Sequence, residues 1–218
     1  MTETKIRVLL VDDHQVLREG LRVLLDEESD IHVVAEAGSA EGAIKQILTF
    51  APDIVVMDLG LPGKSGLEAI QEIRKEKFPV RIIVLSMHSG RELVMEALQA
   101  GSDGYVPKSS AHTDLLQAIR TVYQGKRYLH PDAATAVVDE LLDKREEAQM
   151  LEILSDREKE VLRLIAMGFT SREIGEQLSL SPKTVDTYRQ RSMEKLGLKH
   201  RSEVIQFGLR AGLLDDIT

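Results

Sequence analysis

Along the first 123 residues, short apolar runs alternate with longer segments of helical spacing. Residues 6–11 form a buried strand pattern, and 14–28 place Val16, Leu17, Leu21, Leu24 and Leu25 on one helical face. The alternation repeats as strand 31–35, helix 40–50 ended by Pro52, strand 53–57, and helix 66–77 stopped by Pro79. Strand 81–85, helix 91–100 with Gly101 as its C-terminal stop, strand 104–106 and helix 113–123 complete it. Strict βαβ alternation with continuously apolar strands predicts an α/β doubly wound, five-strand parallel sheet covered on both faces.

The pattern changes after residue 123. Residues 124–150 hold Pro131, an amphipathic piece at 133–142 and the charged run DKREE at 143–147, and read as a partly helical linker with no strand pattern. Residues 151–216 read as helices only. Ser155 with Glu158 and Thr170 with Glu173 are capping boxes, and Ser181 caps a third helix with Pro182 at its first position. A fourth helix runs from about 201 to Gly212, which makes this an all-α four-helix domain. The expected domains are thus 5–123 and 151–216.

Composition narrows the chemistry. The 218 residues include no cysteine, which excludes disulfides, thiol catalysis and cysteine-built metal sites. No apolar run reaches the ~18 residues of a membrane span, and the N-terminus meets aspartates too early for a signal peptide. A soluble, cytoplasmic protein with no membrane partner is expected. The six histidines show no metal-ligand spacing.

The net charge of −8 argues against nucleic-acid binding by the chain as a whole. Its distribution reverses that argument locally. Residues 1–123 carry 13 basic and 19 acidic side chains, and residues 151–218 carry 11 of each. Within 182–201, Lys183, Arg189, Arg191, Lys195, Lys199 and Arg201 face only Asp186 and Glu194, a net +4.

In an open α/β sheet, ligands bind beyond the carboxyl ends of the strands. Asp12 and Asp13 follow the first strand, Asp58 the third, Ser86 the fourth and Lys108 the fifth. Taken singly, each is an ordinary loop acid, cap or surface charge; their joint placement at one sheet edge carries the reading. Crowded carboxylates repel, and a hard cation such as Mg2+ relieves the repulsion. A carboxylate is also a nucleophile able to become an aspartyl phosphate, with Lys108 and Ser86 placed to meet the phosphoryl oxygens.

The segments VDDHQVLREGL, DIVVMDLGLPGKSGLE, IIVLSMHS and AGSDGYVPKS match, in order, the motifs of two-component receiver domains. Residues 5–123 resemble that flavodoxin-like family. The resemblance implies that Asp58 accepts a phosphoryl group from a histidine kinase. It implies that Asp13, Asp58 and the Gly60 carbonyl bind Mg2+, with Asp12 acting largely through water. It places Ser86 and Tyr105 at the family's switch positions. One departure is Ser109 after Lys108, where many receivers carry a proline; here Pro107 precedes the lysine.

Helix, three-residue turn (179–181) and helix 182–196 have helix-turn-helix proportions, with a small residue, Gly175, at the close approach. Val185, Ser192 and Leu196 share the inward face, with Tyr188 beside them. Lys183, Asp186, Thr187, Gln190 and Glu194 lie roughly opposite, flanked by Arg189 and Arg191. The expected DNA-contacting set is Lys183, Thr184, Asp186, Thr187, Arg189, Gln190, Arg191, Lys195, Lys199 and Arg201. Residues 154–205 resemble the LuxR-type DNA-binding domain, and the whole chain resembles the NarL/FixJ subfamily. Departures are Gly175 for the usual alanine and Asp186 where many relatives carry lysine or another polar residue.

The resemblance implies a phosphorylation-controlled transcription factor that binds promoter DNA as a homodimer, and not a turnover enzyme. Two other readings use the same residues. One is a phosphoaspartyl-type hydrolase, although no second acid follows Asp58 two residues on and no substrate cap is visible. The other is a DNA-binding protein indifferent to phosphorylation.

Overall fold

The structure, a computed structural model, describes residues 5–88 and 90–214. The chain divides into two compact units, one through Val138 and the other from Asp139.

The first unit is the expected doubly wound layer. Strands β1 (Ile6–Val11), β2 (Ile31–Ala37), β3 (Ile54–Asp58), β4 (Arg81–Ser86) and β5 (Gly104–Pro107) are all parallel. They alternate with α1 (Gln15–Asp26), α2 (Ala40–Phe50), α3 (Gly66–Lys75), α4 (Arg91–Gln99) and α5 (Ala111–Tyr123). The order β2-β1-β3-β4-β5 reverses at β1, so the loops after β1 and β3 open onto a crevice. Alternate strand residues feed two core layers, one containing Leu9, Val55, Val84 and Tyr105, the other Val8, Val56, Ile83 and Ile119.

Among the described residues the sheet has six strands, not five. Gly125, at φ +86°, turns the chain back after α5, and β6 (Tyr128–Leu129) pairs parallel to β5. β6 lies inside the segment expected to be a strand-free linker; two residues are too short to show a period. α6 (Pro131–Glu152) follows and continues across the boundary between the units. Its start belongs to the first unit, where Ala133 is buried and Val137 packs on the Tyr105 layer.

The second unit contains α7 (Asp156–Ala166), α8 (Ser171–Leu178), α9 (Pro182–Leu196) and α10 (Arg201–Arg210). Both expected capping boxes form, and Ser181 caps α9 by accepting from the Thr184 N–H. The core joins Val161, Leu162 and Ile165 of α7 to Ile174, Val185, Val204 and Phe207. Gly175 packs on the turn before α9: a Cβ there would lie 2.6 Å from the Leu180 carbonyl oxygen. No helix among the described residues is long and apolar enough to cross a membrane.

Candidate functional site

The ends of β1, β3, β4 and β5 bring Asp12, Asp58, Ser86 and Lys108 together as the spacing predicts. Asp12, Asp58 and Ser86 are buried, and Asp13 is exposed at the rim. The Lys108 ammonium, only 6% exposed, donates to Asp58 Oδ2 at 2.8 Å. It lies 2.6 Å from Asp12 Oδ2, an ion pair without hydrogen-bond alignment. Burial works to lower the Lys108 pKa, but Asp12 and Asp58 outweigh it and hold the group above the ordinary lysine value. The two carboxylates thus favour the charged form of the ammonium.

Local structure fixes the carboxylates. Asp12 Oδ1 accepts from the His14 N–H at 2.8 Å, and its carbonyl accepts from Arg18 of α1, which also pairs with Glu36 of β2. The Gly60 N–H donates to Asp58 Oδ1 at 3.2 Å. Behind Asp58, Gly66 starts α3 so tightly that a Cβ would lie 2.1 Å from the Asp58 carbonyl oxygen. Ser65 and Glu68 form a capping box at this helix start, with the S-x-x-E signature plain in the sequence.

Asp12, Asp13, Asp58 and His14 offer ligand atoms all within 4.8 Å of one another. His14, set aside by the spacing argument, joins the group because its Nδ1 lies 2.8 Å from Asp13 Oδ1 and 3.1 Å from Asp12 Oδ1. Three carboxylates, one with a buried oxygen lacking an aligned donor, suit a hard divalent cation. At the adjacent edge, Tyr105 is fully buried and donates to the His88 carbonyl at 2.5 Å. Burial raises its phenol pKa, partly offset by its hydrogen bond with Ser86. All described peptide bonds are trans, including those around Lys108.

In the second unit, α8, the turn 179–181 and α9 form the helix-turn-helix. Val185 and Ser192 are buried on the inner face, where Ser192 Oγ donates to the Tyr188 carbonyl at 2.7 Å. Lys183, Asp186, Thr187, Arg189, Gln190 and Arg191 are exposed; Thr184 is half-buried, and its hydroxyl bonds that of Ser181. Asp186 accepts from the Ser171 hydroxyl at 2.7 Å, which ties α9 to the start of α8. Arg201 donates to the Phe169 carbonyl, and Lys199 is exposed beside it. Lys195 is exposed, and its ammonium sits 2.7 Å from the buried Glu158 of α7.

Residues 8–120 match the response regulator receiver domain, and residues 152–207 match the bacterial regulatory proteins of the luxR family. The chain belongs to the response-regulator family. It is 39% identical over 208 residues to the response regulator UvrY of Escherichia coli K12, covering 95% of each. Among solved structures it resembles the RcsB response regulator of Salmonella typhimurium, at 28% identity and a TM-score of 0.64 over 95% of this chain and 98% of that one. It also resembles RcsB from Salmonella enterica serovar Typhimurium bound to promoter P1flhDC with phosphomimetic BeF3−, at 26% identity and a TM-score of 0.59 over 96% and 100%. The RcsB structures concern DNA interaction and promoter binding, and membership of the response-regulator family sets the hydrolase reading aside.

Proposed function

We propose that this response regulator is a phosphorylation-controlled transcription factor acting in the cytoplasm. Asp58 is the phosphoacceptor: a carboxylate oxygen attacks the phosphorus of a phosphohistidine on a sensor kinase, and the P–N bond breaks with its electron pair leaving on the imidazole. Asp12, Asp13, Asp58 and the Gly60 carbonyl would hold Mg2+, which when bound neutralises phosphoryl oxygens. Lys108, already on Asp58, supplies a further fixed positive charge to the transferred group. Ser86 turns toward the phosphoryl oxygens and Tyr105 repacks, which shifts a two-state receiver. The same site supports hydrolysis of the aspartyl phosphate without making the chain a turnover enzyme.

The output is dimeric binding to double-stranded promoter DNA, the mode seen for two RcsB dimers bound to two parallel DNAs. The outward face of α9 supplies Lys183, Thr184, Asp186, Thr187, Arg189, Gln190 and Arg191, with Lys199 and Arg201 beyond its end. Phosphate contacts supply most nonspecific affinity, and a dimer about doubles them. Lys195 belongs to this set only after releasing Glu158. The functional boundaries follow as receiver 5–123, connecting segment 124–150 and DNA-binding domain 151–216.

The observation that carries the reading is the buried Asp58–Lys108–Asp12 constellation. Labelling with acetyl phosphate and Mg2+ tests it. Asp58→Asn abolishes incorporation, and a variant labelled at the wild-type rate refutes the site.

A further inference from the structure

We infer that His130 is a positioning residue that links the phosphorylation site to helix α6. This rests on the phosphoacceptor reading of Asp58 and adds the route by which its state reaches the chain beyond the sheet. His130 lies between β6 and α6, and three separate contacts meet on it. Its N–H donates to the carbonyl of Tyr105 at 3.0 Å, so it extends the β5–β6 pairing by one bond. Its own carbonyl accepts the Ala134 N–H at 2.9 Å, the bond that starts α6.

The third contact is through the imidazole, which is 16% exposed. Nδ1 lies 3.3 Å from the Asp132 N–H, and Nε2 lies 3.3 Å from Ser110 Oγ. Asp114 of α5 and Asp132 of α6 flank the two nitrogens at 3.7 and 3.5 Å. Ser110 closes the 3-10 turn Lys108–Ser110, whose first residue holds Asp58. Within one turn of backbone, His130 therefore touches the segment carrying the phosphate-site lysine. Through Tyr105 it also touches the strand carrying the buried aromatic.

Packing makes the contact directional. Leu129, Ala133 and Val137 lie in the same core layer as Tyr105. A change in the Tyr105 side chain thus acts on both sides of His130, while a shift of Lys108 toward a new phosphoryl group pulls the turn against the imidazole. Packed layers have discrete arrangements rather than continuous compliance. Without the imidazole, the start of α6 keeps its apolar anchor but loses its only side-chain register with the Lys108 turn among the described residues.

The test uses the full chain, with His130→Ala and the milder Ser110→Ala. Three quantities are read: Asp58 labelling by acetyl phosphate with Mg2+, phosphodonor-dependent hydrogen exchange at 131–138, and the ratio of promoter-DNA affinities with and without phosphodonor. Allosteric couplings are typically about 5–150-fold. Both variants label within about twofold of wild type, yet the affinity ratio falls to below about twofold and the exchange change at 131–138 disappears. Wild-type ratio and exchange response in both variants overturn the inference. So does a labelled wild type whose 131–138 segment never responds. Failure of wild-type Asp58 to label instead overturns the phosphoacceptor reading, and this inference with it.

Discussion

Replacing Gly66 with alanine adds one methyl group, and its position decides the effect. The new Cβ would sit 2.1 Å from the Asp58 carbonyl oxygen and 2.8 Å from Leu59 Cα, where ordinary contact begins near 3.4 Å. Relief needs about 1.3 Å of movement, the difference between 3.4 and 2.1 Å. Both clashing atoms are backbone, so no rotamer change supplies it. Helix propensity pulls the other way, favouring alanine over glycine by up to about 1 kcal/mol. Overpacking costs about 1–3 kcal/mol, sometimes more, and the full backbone clash places Gly66→Ala at the upper end. The displaced atoms carry Asp58, and a misplacement of ~1 Å at a reacting group costs about 100-fold in rate. Urea unfolding therefore shows a net loss of about 2 kcal/mol or more, and acetyl phosphate labelling of Asp58 slows by at least about tenfold. A variant with the wild-type urea midpoint and labelling rate refutes the packing argument.

Lys108→Met leaves Asp12 and Asp58 as neighbouring buried carboxylates, and breaking a buried pair costs about 3–5 kcal/mol. The folded Lys108 pKa is raised, so its contribution is complete below the unfolded value of about 10.4 and is lost as pH rises through the folded one. Urea unfolding at neutral pH therefore shows a lowered midpoint for the variant; a wild-type midpoint contradicts this. The Lys195 hydrogen bond is the main cause holding Glu158 below the usual carboxylate range. Its stabilisation is present above its unfolded pKa and lost as pH falls through the folded one, so Glu158→Gln flattens the acid limb of α7 hydrogen-exchange protection. Gly175→Ala meets the Leu180 carbonyl at 2.6 Å and lowers both urea stability and DNA affinity. Unchanged affinity counts against the close approach.

The strands and both capping boxes of the second unit were legible because each is a local pattern: an apolar run, or Ser/Thr with Glu three residues on. The carboxylate site was legible because fold topology carries each strand end to one edge. β6 was not, since Tyr128 and Leu129 become a strand only by pairing with Gly104 and Tyr105. The Lys195–Glu158 pair was not legible, since its partners stand 37 residues apart and charge totals ignore pairing. His14 was passed over because a metal-ligand spacing test looks for other histidines, whereas its neighbours are aspartates. The Ser65–Glu68 box carried a clear signal in sequence, and its importance lies in holding Gly66 against Asp58.

The central claim is that phosphoryl transfer to Asp58 controls DNA binding. Equilibrium binding of the full chain to DNA selected from a random pool, with and without acetyl phosphate and Mg2+ at one fixed salt concentration, tests it most directly. Wild type gains affinity on phosphorylation and Asp58→Asn gains none. Equal wild-type affinities under both conditions, with Asp58 shown to be labelled, contradict it.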